Sequence, residues 1–148
     1  MNVFIFSFNV NPVSVKAADQ KIAQLNSELS TQKIIQKHCD SYRLCRKVIE
    51  DCKSAKDPKA YRTKHQAEYH LHDSLKKELQ NLGVTKIPSS DKIKKRIENL
   101  ESEQTASLRE KQGLQEKQKL LNTIQQNFNV LLDAPEMQPP LSEKENTL

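Results

Sequence analysis

Positions 93, 97, 100, 104, 107, 111, 114, 118, 121, 125, 128 and 132 of this chain are separated by alternating steps of four and three. That rhythm keeps a stripe on one side of a helix and is the seam spacing of a coiled coil. Apolar side chains hold both ends of the stripe: Ile93, Ile97 and Leu100, then Leu114, Leu121, Phe128 and Leu132. Its middle is polar, at Gln104, Ser107, Lys111 and Gln118. Gly113 weakens the helix there by about 1 kcal/mol relative to alanine, so this middle is expected to be the least stable part. The spacing predicts a helix from about 90 to 133, roughly 60 Å long. One apolar stripe on so long a helix calls for a partner of similar length.

The first third of the chain supplies one. Ile22, Leu25 and Leu29 open a second stripe, and after a slip near Ile34 and Ile35 it resumes at Ile35, His38, Tyr42, Cys45, Ile49 and Cys52. This predicts a helix over 16–54. Between the long helices, Asp57 is placed to cap a shorter one and Pro58 to occupy its first turn. Leu71, Leu75, Leu79 and Leu82 share a face of that helix, and Gly83 stands where a left-handed C-terminal cap is needed. A connector, VTKIP, leads to Ser89 or Ser90 as the next cap, with Asp91 favourable in the first turn. The expected fold is all-α. Two long helices form an antiparallel coiled-coil hairpin, and the third, over 58–82, packs at its closed end. A parallel homodimer built on the last helix is the alternative.

The 148 residues suffice for one domain, and with two glycines, no tryptophan and 29% charged residues they suit a helix seam better than a thick core. The opening MNVFIFSFNV has strand-like alternation but no basic flank or cleavage site, and it is far shorter than the ~20 apolar residues a bilayer span needs. Residues 1–14 are therefore expected to be an arm outside the fold, 15–133 the helical domain and the Pro-rich 134–148 a disordered tail. Cys39, Cys45 and Cys52 form no Cys-x-x-Cys pair and read as small apolar seam residues in a reduced, cytoplasmic chain.

Charge is unevenly divided. Residues 33–96 hold 17 Lys and Arg against 8 Asp and Glu, a net of +9, while the remainder holds 7 against 11, a net of −4. The stretches YRLCRK and KIKKR make Arg43, Arg46, Lys47, Lys92, Lys94, Lys95 and Arg96 candidates for contact with a nucleic-acid backbone, without sequence preference. A solvated helix face or an acidic protein partner also fits this pattern.

His70 and His72 raise the question of a metal. A His-x-His pair ligates one ion from a strand, where i and i+2 point to the same side. On a helix they lie about 200° apart, and every signal around them is helical. His65 and Tyr69, at i and i+4, are better neighbours. Nothing near Tyr42, Tyr61 or Tyr69 suggests activation, and there is no Gly-rich phosphate loop, nucleophile elbow or zinc-ligand spacing. The sequence therefore points to no catalytic, cofactor-binding or metal-binding residue.

Residues 15–25 (VKAADQKIAQL) and 41–100, with Tyr61, His65, Glu68, Leu71-His72, Leu82-Gly83 and Lys86-Ile87-Pro88-Ser89, resemble the C-terminal helical region of relaxases, the mobilisation proteins of conjugative elements in Gram-positive bacteria. The resemblance spans about 15–133 and is most specific over 61–89. It implies a non-catalytic module, truncated from the nuclease domain, that acts, if at all, in DNA mobilisation through protein or DNA-backbone contacts. The first 13 residues and KSAKDPKAY depart from the family pattern. The expected partners are DNA or a DNA-transfer protein, with no membrane; monomer and homodimer both fit. The competing reading is a coiled-coil scaffold or interaction protein unrelated to DNA transfer. A metal-dependent nickase fragment ranks last.

Overall fold

The computed structural model describes residues 12–133, with side chains from Ser14 onward. Residues 1–11 of the expected arm and the expected tail, 134–148, lie outside the described residues. Every described element is a helix: α1 (Pro12–Cys52), α2 (Pro58–Lys64), α3 (Gln66–Asn81) and α4 (Ser90–Asp133). At 41 and 44 residues, α1 and α4 are each roughly 60–65 Å long.

α1 is the element on which the others pack. Along its first half it meets α4, through Asp19–Lys111 (2.6 Å), Asn26–Gln104, Glu28–Arg96 and Lys33–Glu101 (3.1 Å). From Asp19–Lys111 through Asn26–Gln104 to Lys33–Glu101 the residue numbers on α4 fall as those on α1 rise, so the two helices run antiparallel. Along its second half α1 meets α3, also antiparallel: His38 Nε2 lies 3.3 Å from Glu78, and the Tyr42 and His72 rings stack at 4.6 Å. The connector after α3 then carries the chain back toward Arg43, whose guanidinium donates to the carbonyl of Pro88. The end of α3 and the start of α4 thus overlap beside the middle of α1. There the core gathers Ile35, Cys39, Leu79, Ile93, Ile97 and Leu100, with Leu25 and Leu29 continuing it along the seam and Tyr42, Val84 and Ile87 against its side.

Local chemistry sets the element ends. The Asp57 carboxylate accepts from the backbone N–H of Lys59 (3.1 Å) and Ala60 (3.2 Å), with Pro58 at the helix start. α3 ends in two reciprocal bonds, Val84 N–H to Leu79 O (2.9 Å) and Gly83 N–H to Gln80 O (3.0 Å). Gly83 sits at φ +81, the left-handed geometry this cap demands and a side chain resists. Ser89, rather than Ser90, caps α4, its hydroxyl accepting from Lys92 N–H at 3.3 Å.

The structure corrects the sequence reading in four places. There are four helices, not three, because the segment expected as one helix breaks at His65, with φ −105 and ψ 25. The break is held by His65 Nδ1 against Glu68 Oε1 (3.3 Å) and by the Tyr61 ring 4.3 Å from the His65 ring. α1 begins at Pro12 rather than 16. In mid-α1 the fully buried residue is Cys39, while His38 stands at the rim of the core facing Glu78. On α3, Leu75 and Leu79 are buried, but Leu71 and Leu82 are exposed, because His72 is the residue turned to α1. The last two corrections share a cause: where one helix meets two neighbours, its buried face widens beyond a single stripe.

Candidate nucleic-acid interface

The cations singled out from sequence reach the same region by two routes. α1 carries Arg43, Arg46 and Lys47, and the first turns of α4 carry Lys92, Lys94, Lys95 and Arg96. The Arg43–Pro88 hydrogen bond brings the two sets to one end of the α1–α4 pair, since α4 starts two residues after Pro88.

Three of the seven are already committed. Arg43 is half-buried and divides its guanidinium between Pro88 O and Asp40 Oδ1, the latter at 3.0 Å. Its first role is to fasten the α3–α4 connector onto α1. Arg46 Nε bonds Glu50 Oε1 at 3.0 Å, one turn along the same helix. Arg96 reaches across the seam to Glu28. Lys47, Lys92, Lys94 and Lys95 are exposed, and no ion pair among the described residues engages them. Lys92, Lys95 and Lys94 spread around the side of α4 that faces away from the buried Ile93, Ile97 and Leu100. With Asp91 and Glu98, these three lysines line a shallow depression, so the local field is basic but tempered.

Other cations in this part of the molecule belong to no short run in the sequence. Lys76 and Lys77 are exposed on α3, and Lys86 is exposed on the connector. At the far end, Lys59, Arg62, Thr63 and Gln66 line a second shallow depression, and the Arg62 guanidinium lies 5.1 Å from the centre of the Tyr69 ring. The signal that carried them was the charge balance over the whole window 33–96.

The histidines separate as helical geometry requires. His72 is half-buried on Tyr42 and has Nδ1 3.4 Å from Asp73 Oδ1. His70 is exposed, with Nε2 3.4 Å from the Gln66 amide nitrogen, which can donate to it. Among the described residues no three His, Cys, Asp or Glu side chains are grouped as a metal ion would require.

Two thiols and two phenols here are shifted away from their ionised forms. Burial pushes the Cys39 thiol upward, against the opposing pull of Arg43, and burial with the nearby Glu68 charge raises Cys45. Tyr69 is raised first by its hydrogen bond with Cys52, and Tyr61 first by loss of water and then by Asp51. Each shift keeps the group protonated, whereas a nucleophile needs its pKa lowered or a base beside it. No described helix is long and apolar enough to cross a membrane.

Compared with protein-family models, curated proteins and solved structures, the chain matches none.

Proposed function

We propose that this chain is a non-catalytic helical module that holds a nucleic-acid backbone where the α3–α4 connector returns to α1, as the relaxase-like features of its sequence suggest for a part of a DNA-mobilisation assembly. In this reading α1 and α4 form an antiparallel coiled-coil hairpin whose business is rigidity. The observation that carries the proposal is the set of exposed, uncommitted lysines, Lys47, Lys92, Lys94 and Lys95, on the side of the molecule where net positive charge is concentrated. Lysine ammonium groups on flexible stems suit phosphate contact without base readout.

The test is fluorescence anisotropy against unrelated single- and double-stranded oligonucleotides at several salt concentrations. Affinity should fall steeply with salt and be indifferent to sequence. Changing Lys92, Lys94 and Lys95 together to alanine should reduce the duplex log–log salt slope by about two to three, near 0.9 per lost phosphate contact. Absence of binding at low salt, or a slope untouched by the triple change, sinks the proposal.

A second reading, a scaffold that binds protein partners, draws on the commitment of Arg43, Arg46 and Arg96 to contacts within the chain. A carboxylate-rich partner would meet the same lysines but would compete poorly with added duplex.

A further inference from the structure

We propose that residues 1–11 are the cover for the far end of α4. The register of the long helices is set by the Asp19–Lys111 pair. Seven residues back along α1 is Pro12, where that helix begins, and seven residues on along α4 is Gln118. From Lys119 to Asp133, α4 therefore runs on for about 22 Å past the start of its partner.

That length is not a solvated helix by composition. Residues 120–132 contain no charged side chain. Leu120 (60%), Leu131 (74%) and Leu132 (65%) are exposed, and Leu121 is half-buried at the next seam position. Apolar patches of this kind on a single helix mark an interaction surface.

Three features select the occupant. Residues 1–11 join the chain at Pro12, the point opposite which the last 15 residues of α4 begin. They contain no charged side chain and carry Val3, Phe4, Ile5, Phe6, Phe8 and Val10, so docking them on 120–132 desolvates no side-chain ion. Eleven residues can reach up to about 36 Å, more than the length to be covered. Being tethered, they act at a high effective concentration that a second copy in dilute solution does not match. The C-terminal residues 134–148 fit poorly by comparison, with three prolines and four charged side chains.

The experiment compares amide hydrogen exchange of the full chain with that of the full-length variant Phe4→Asp, Phe6→Asp, Phe8→Asp. Exchange over 119–133 should accelerate at least about tenfold in the variant, while the α1–α3 contact region, 38–79, stays unchanged. In a second full-length variant, Phe6 is replaced by p-benzoylphenylalanine. Irradiation at low micromolar concentration should crosslink it within the same chain to a peptide from 119–133, a readout that does not depend on the triple variant folding. Unchanged exchange over 119–133, or an intramolecular crosslink found elsewhere, overturns the proposal. So does protection of 119–133 that disappears on dilution of the unsubstituted chain, which would assign this face to a second copy.

Discussion

The two ends of α4 are built from the same helix-forming residues and held in different ways. Its first three turns sit in a core shared with α1 and α3, where Ile93, Ile97 and Leu100 are buried together with Leu79 and Cys39. From Leu100 to Gln118 the same four-three stripe continues, but among the described helices only α1 lies against it, and the seam passes through Gln104, Ser107 and Lys111. One flank of contact makes a seam, and two flanks make a core. Stability should therefore fall along α4 from its start to its end, independently of helix propensity.

Truncating the core should produce the largest effect. Leu79→Ala or Leu100→Ala, each nearly inaccessible to water, should cost about 2–5 kcal/mol in denaturant unfolding. Leu114→Ala, on the same helix at a half-buried seam position, should cost well under half as much. Equal losses would break the distinction between core and seam. Next come the element ends that assemble the core. Gly83→Ala puts a side chain at φ +81 and Asp57→Ala removes two backbone acceptor contacts, and each should cost about 1 kcal/mol.

Within the seam, Ser107 offers a change of opposite sign. It is 2% exposed, and its hydroxyl has no hydrogen-bond partner among the described residues, so it carries the penalty of an unsatisfied buried polar group. Ser107→Ala should stabilise the protein by up to about 1 kcal/mol, read as a rise in the denaturation midpoint. The smallest effect concerns the break at His65. A hydrogen bond from its own backbone N–H, then one from His65, lowers the Glu68 carboxyl below the ordinary glutamate range. Because the folded value is the lower one, this contribution is present above the ordinary carboxyl range and is lost as the pH falls through the Glu68 value. Carbon-13 titration should show Glu68 protonating below other glutamates' usual midpoint, and Glu68→Gln should remove that part of the acid sensitivity.

Sequence reasoning saw most where each residue had one neighbour to satisfy. The α4 stripe was legible from Ile93 to Gln125, where the buried or half-buried positions follow it, but its expected last position, Leu132, is exposed. It misjudged the three-helix region by single positions, His38 for Cys39 and Leu71 for His72, because periodicity locates one stripe and a helix between two neighbours has a wider one. The break at His65 left no mark, since Tyr61, Arg62, Thr63 and Lys64 all tolerate a helix and the break is held by side-chain pairing. Of the basic residues, the commitments of Arg43 and Arg96 were hidden for a simpler reason. Their partners, Pro88 and Glu28, are 45 and 68 residues away in the chain.

α3 and α4 each pack along α1 and not along one another. Among the described helices, the only covalent bridge from α1 to the others is the largely exposed stretch Lys53–Asp57, which carries two lysines. A protease cut there would divide the chain into α1 on one fragment and α2–α4 on the other, with no fragment keeping a helix partner for its apolar stripe. The nicked protein should hold together in native solution and come apart only on unfolding, and the two isolated peptides should restore helicity when mixed. In thermodynamic terms α1 and α2–α4 would then behave as two partners joined by a tether.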